Sequence, residues 1–178
     1  MRKPSQPLQI LIVEDSENDA LLLQLALEKA GTRFTCKRVE TSPEMSAALD
    51  AQNWDVIVAD YVLPNFDGLA ALALIKERGL DVPFIIVSGH ITENTAVAAM
   101  KAGAHDYVMK DKLARLAPAI AREIREAEIR SEQRASEKRL RDEQAFRAAI
   151  ETSIPSGIAA VDLDGRQSYV NPAFCHMV

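Results

Sequence analysis

Four apolar runs along the chain each stop at a polar group. Leu8-Gln9-Ile10-Leu11-Ile12-Val13 stops at Glu14-Asp15, and Val56-Ile57-Val58-Ala59 stops at Asp60. Pro83-Phe84-Ile85-Ile86-Val87 stops at Ser88, and His105-Asp106-Tyr107-Val108-Met109 stops at Lys110. Short runs that stay apolar on successive residues predict strands covered on both faces. A fifth segment, about Phe34–Val39, carries Lys37 and Arg38 and reads as a more polar edge strand. Helical patterns fill the gaps. Glu17–Ala30 follows a capping Ser16 or Asp15, carries Leu21, Leu22, Leu25 and Ala26 at helical spacing, and stops at Gly31. Ser42-Pro43-Glu44 starts a second helix with Ser as the cap, and Gly68 to about Arg78 and Ile91–Ala102 supply two more. Strands alternating with helices of this length make βαβ units, a parallel sheet and right-handed crossovers.

In such a sheet the ends of the strands lie on one edge, where ligands bind. Glu14, Asp15, Asp60, Ser88 and Lys110 would converge there. Crowded carboxylates repel unless a proton or a cation relieves them. A hard divalent cation with oxygen ligands, Mg²⁺ (or Mn²⁺), fits that need. Lys110 adds a point charge for phosphoryl oxygens, and Ser88 a short hydroxyl. This is a kit for phosphoryl transfer with Asp60 as acceptor. Taken singly, the residues have blander uses: a helix cap for Asp15, a turn hydroxyl for Ser88, a surface cation for Lys110. Two enzyme-like alternatives fail on named positions. An aspartyl-nucleophile phosphohydrolase needs a second carboxylate two residues after the first, and Val62 stands there. A flavodoxin-type cofactor binder needs a phosphate loop after the first strand, where Glu14-Asp15-Ser16-Glu17 would repel phosphate.

The chain has 178 residues, 48% hydrophobic and 26% charged, with net charge −5. That allows one well-buried domain plus something smaller and argues against nucleic-acid binding through bulk charge. Cys36 and Cys175 have no metal-ligand spacing and read as free thiols in a reducing cytosol, so a cytoplasmic location is expected. No run is long enough to span a bilayer. After Lys112 the texture changes. Residues 113–151 mix Arg and Glu and lack Gly, which predicts one long solvated helix. Leu113, Leu116, Ile120, Ile124 and Ala127 form an apolar stripe in its first half, and Ile129, Leu140 and Ile150 follow sparsely. The spacing fits either a weakly specified two-stranded coiled coil or a single charged linker. Gly157–Val161, the turn Asp162-Leu163-Asp164-Gly165, Gln167–Val170 and a helix start at Asn171-Pro172 complete the chain. Two strands and a turn of helix cannot bury a core, so a truncated second domain is expected.

The segment from about Leu8 to Leu113 resembles the receiver domain of two-component response regulators. Val13-Glu14-Asp15 matches the acidic metal pair, Asp60 the phosphoacceptor, and Leu63-Pro64 and Asp67-Gly68 the loop that follows. Val87-Ser88-Gly89 matches the switch hydroxyl, and Gly103 to Lys110 the aromatic-and-lysine strand, with Tyr107 as the rotating aromatic. Two departures stand out: the pair is Glu-Asp rather than Asp-Asp, and Asp111 follows Lys110 where many receivers have a proline that takes a cis bond. The tail from about Phe146 resembles the opening of a PAS sensor domain.

The resemblance implies a flavodoxin-like (βα)5 doubly wound α/β sheet, order 2-1-3-4-5, over residues 1–112. A linker helix would occupy 113–151 and a partial α+β PAS-like segment 152–178. Asp60, Ser88 and Lys110 would carry the chemistry, and Ser88 and Tyr107 the switch. Glu14, Asp15, Asp60 and the Val62 carbonyl would hold Mg²⁺. A histidine kinase or histidine phosphotransfer protein would be the donor, with self-phosphorylation and self-dephosphorylation the only catalysis in this segment. A homodimer in contact through the stripe from Leu113 to Ile124 would pass the state along the helix. The alternative is a receiver fold kept mainly as a dimerisation module.

Overall fold

The computed structural model describes residues 6–64, 66–89, 93–153, 159–162 and 166–170. Five strands form one parallel sheet: β1 Leu8–Val13, β2 Phe34–Val39, β3 Val56–Asp60, β4 Phe84–Ser88 and β5 Asp106–Met109. Their order is β2-β1-β3-β4-β5, as the resemblance implied, with β2 at one edge. The register aligns Val13 with Ala59, Asp60 with Val87, and Ser88 with Met109. Glu14, Asp60, Ser88 and Lys110 therefore all fall on the carboxyl edge.

The helices are α1 Glu17–Lys29, α2 Ser42–Ala51, α3 Gly68–Glu77, α4 Glu93–Lys101 and α5 Leu116–Ser153. Because side chains alternate along a strand, each strand feeds two cores. Leu11, Val13, Ile57, Ala59, Phe84 and Ile86 pack on one face with residues of α2, α3 and α4. Ile10, Ile12, Val58, Ile85 and Val87 pack on the other with residues of α1 and α5.

Three sequence expectations need correcting. The face that α1 buries is Ala20, Leu23 and Leu27, whereas Leu21, Leu22 and Leu25 are exposed. So many leucines in succession leave the phase of the helix ambiguous, and contact with the sheet selects it. The cap of α2 is Thr41, not Ser42. Thr41 Oγ1 accepts from the Glu44 N–H at 3.4 Å, while Glu44 Oε2 accepts from the Thr41 N–H at 3.3 Å, a reciprocal capping box. The long helix begins later than Leu113. A 3-10 segment, Lys110–Arg115, intervenes, with Lys112 outside helical geometry.

The apolar stripe of α5 also has a different partner from the one expected. Leu116 and Ile120 are fully buried against the chain's own sheet, with Leu113 and Ile124 packed beside them. They are therefore not free to pair with a second copy. By its internal contacts the chain divides into two compact units, Met1–Ile129 and Arg130–Val178, so the first unit extends past Lys112 to include the root of α5. In the second unit, β6 Ala159–Val161 pairs antiparallel with β7 Gln167–Val170. The Asp164-Gly165 turn, the Asn171-Pro172 helix start and Cys175 lie outside the described residues. Among the described residues no peptide bond is cis, that after Lys110 included, and no helix is long and apolar enough to cross a membrane.

The corrected phase of α1 has a direct test. Leu23→Ala should cost about 2–5 kcal/mol, whereas Leu21→Ala should stay within about 0.5 kcal/mol of the parent. Urea denaturation of the two variants checks this. Equal losses would mean that the helix presents another face.

Candidate functional site

The sheet's carboxyl edge gathers charge because its strands end in charge. Glu14 leaves β1 with its backbone still on the ladder, its N–H donating to the Val39 carbonyl at 3.0 Å. Its side chain is 1% exposed. Glu14 Oε1 accepts from the Ser16 N–H at 3.2 Å, and Oε2 accepts from Lys110 Nζ at 3.0 Å. Asp60 closes β3, with Oδ1 accepting from the Val62 N–H at 3.2 Å and Oδ2 from Lys110 Nζ at 2.7 Å. Lys110 opens the 3-10 segment after β5 and also donates to Asp19 Oδ2. One ammonium thus joins three carboxylates.

Glu14, Asp19 and Asp60 each present an oxygen within 4.8 Å of the other two. Hard carboxylate oxygens at this spacing suit an octahedral cation such as Mg²⁺, whose opposite ligands are about 4 Å apart. Asp19 carried no part in the sequence reading. It lies in the first turn of α1, where its N–H donates to the capping Ser16 Oγ at 3.2 Å. That cap is a sufficient local reason for an Asp there, which is why it gave no further signal. Asp15, assigned to the metal from sequence, is exposed and stands outside this triplet. Its carbonyl and that of Glu14 both accept from Arg38 Nη1, at 3.2 and 3.0 Å, so β2 holds the β1–α1 loop in place.

Ser88 is buried at the end of β4, and Tyr107 is half-buried against the α3–α4 side core. Val62 is exposed in the loop after β3. Gly68 closes that loop. A Cβ added there would lie 2.6 Å from the Asp60 carbonyl oxygen and 3.2 Å from Tyr61 Cα. Only a glycine lets α3 start this close to Asp60.

Burial pushes the Glu14 carboxyl up from its usual 4.5 to about 6; the Lys110 hydrogen bond opposes this and the Asp60 charge adds to it. Burial works against the Lys110 charge, but hydrogen bonds to Asp19, Asp60 and Glu14 outweigh it and raise that pKa above the usual lysine value. With all carboxylates ionised, three negative charges face one positive charge.

The chain matches the family model "Response regulator receiver domain" over residues 10–121, which is more than half its length. The chain belongs to the response regulator receiver domain family. Over 101 residues the receiver is 38% identical to the DNA-binding transcriptional regulator NtrC of Salmonella typhimurium, covering 57% of this chain and 21% of that protein. It is 36% identical over 104 residues to the transcriptional regulatory protein BasR of Escherichia coli, covering 58% of this chain and 46% of that one. These curated relatives are therefore matched over less than half of their own length. Among solved structures, a response regulator receiver domain protein from Clostridium thermocellum superimposes with a TM-score of 0.59 at 26% identity, covering 68% of this chain and 98% of that one.

Two measurements test this geometry. Gly68→Ala should destabilise the receiver by about 1–3 kcal/mol, because backbone rather than a flexible side chain must give way. A melting temperature equal to the parent's would show that the loop yields freely. The second concerns pH. A carboxyl whose folded pKa is raised stabilises the fold below its unfolded pKa, and the contribution is lost as pH rises through the folded one. For Glu14 that window runs from 4.5 to about 6, and the loss above it is about 2 kcal/mol. With cations chelated, Glu14→Gln should be more stable than the parent at pH 7.5, and the gap should close below pH 4.5. A gap independent of pH would place the titration elsewhere.

Proposed function

We propose that Asp60 is the phosphoacceptor of this receiver, charged by a histidine kinase or a histidine phosphotransfer protein. The observation that carries the reading is Lys110 Nζ, 2.7 Å from Asp60 Oδ2 at the carboxyl edge of the sheet, with Glu14 on the same ammonium. An Asp60 carboxylate oxygen attacks the donor's phosphorus. The bond from phosphorus to the donor breaks, its electron pair leaves with the donor, and an aspartyl phosphate results. In hydrolysis, water attacks the same phosphorus and Asp60 leaves as the carboxylate, with phosphate and a proton released.

Lys110 and Ser88 serve as donors to the phosphoryl oxygens. Glu14, Asp15 and Asp60, with the Val62 carbonyl, are the residues that would hold Mg²⁺ or Mn²⁺. The close spacing of the Glu14, Asp19 and Asp60 oxygens and the excess negative charge support a cation there. A cation held there would supply charge neutralisation at the phosphoryl group. Arg38 keeps the β1–α1 loop in place, and Gly68 leaves room for the Asp60 backbone.

The output is read through α5. The phosphoryl group draws Ser88 inward and Tyr107 turns into the space it leaves, which shifts the β4–β5 edge on which the root of α5 packs. Beyond Ile129, Leu140, Phe146 and Ile150 are exposed on α5. A homodimer of this cytoplasmic segment would use these positions rather than Leu116 or Ile120. The segment after α5 is read as the start of a PAS-like domain, with no role for nucleic acid.

Acetyl phosphate with Mg²⁺ should add one phosphoryl group to the chain, seen as an intact-mass shift, and chelation should prevent it. Asp60→Asn should remain folded and gain nothing. An equal shift in that variant would assign the acceptor to another residue.

A further inference from the structure

Asp19 is the member of the carboxylate triplet that the phosphoacceptor reading leaves without a task. Its side chain is 36% exposed, against 1% for Glu14 and 10% for Asp60, and it reaches the site from α1 rather than from a strand end. An ammonium has three N–H bonds. Those of Lys110 have three carboxylate acceptors: Glu14 at 3.0 Å, Asp60 at 2.7 Å, and Asp19. A phosphoryl oxygen on Asp60 therefore finds no idle donor on Lys110, and one existing hydrogen bond has to be given up.

Charge points the same way. The three carboxylates and one ammonium of this cluster leave two uncompensated negative charges, to which the neighbouring, exposed Asp15 adds a third. With Asp19 neutral, a divalent cation meets one negative charge fewer. Conversion of Asp60 to its phosphoryl form brings more negative charge into the site. Asp19 repels that charge and competes with it for Lys110, yet it attracts the cation.

We propose that Asp19 is a positioning residue that acts in opposite directions on the two ligands of this site. It strengthens divalent-cation binding, and it shortens the lifetime of the phosphoryl group by holding Lys110 toward α1. The inference rests on the phosphoacceptor reading and deepens it. A receiver without a carboxylate at this place would hold its cation more weakly and its phosphoryl group longer.

The test uses the full chain as parent, Asp19→Asn and Asp19→Glu. Cation affinity is read from the Mg²⁺-dependent rise in melting temperature of the unphosphorylated protein. Phosphoryl lifetime is read by intact mass at saturating Mg²⁺ after the small phosphodonor is removed. Asp19→Asn should weaken Mg²⁺ binding roughly three- to tenfold, while the lifetime lengthens by about twofold or more. Asp19→Glu, which keeps the charge, should stay near the parent in both. Loss of affinity together with a shorter lifetime would mean a merely structural role and overturn the proposal. So would no change in either quantity, a change in only one, or Asp19→Glu behaving as Asp19→Asn. A parent chain that takes no phosphoryl group would sink the phosphoacceptor reading and this inference with it. A phosphorylated parent with an unaltered Asn variant would sink this inference alone.

Discussion

One ammonium group holds the working edge of this protein together. Lys110 reaches partners 96, 91 and 50 residues away in the chain, Glu14, Asp19 and Asp60. Two of these are nearly covered carboxylates, and burial disfavours their charge. Without a cation among them the strand ends of β1 and β3 would repel, and the sheet would be least stable where its chemistry lies. Lys110 supplies that cation from within the chain and ties β5 to β1, β3 and α1. It also occupies ground that a divalent ion and a phosphoryl group would share. If the site is used as proposed, these same contacts have to rearrange.

The parts of this architecture legible in the sequence are those fixed by uninterrupted local pattern. Strands covered on both faces leave no polar alternation, so β1, β3 and β4 stand out as apolar runs. Their polar ends mark the edge where Glu14, Asp60, Ser88 and Lys110 fall. What escaped were choices made by tertiary contact among near-equivalent local options. In α1, Leu21, Leu22 and Leu25 promised as good a face as Leu23 and Leu27, and only the sheet decided between them. Asp19 was hidden by its ordinary role in the first turn of a capped helix. Nothing in its spacing announced that the lysine just after β5 would reach it. Asp15 is exposed where Glu14 is buried, because adjacent residues leave an extended segment on opposite sides.

The root of α5 was the most consequential misjudgement, because an apolar stripe on a helix does not say what it faces. Leu116 and Ile120 satisfy the spacing of a dimer seam, yet they complete the core on the α1 side of the sheet. This changes what α5 can transmit. The helix is anchored in the same cluster as Val87, which pairs with Asp60 in the sheet, and Val108, which pairs with Val87. Packed cores move between discrete arrangements rather than deforming smoothly. A change at Asp60 that displaces β4 or β5 must then be accommodated by repacking around Leu116 and Ile120. From Ser131 to Ile150 the same helix is exposed. The first turns of α5 are therefore set by the sheet, and a displacement of β4 or β5 has Leu116 and Ile120 as its first contacts on that helix.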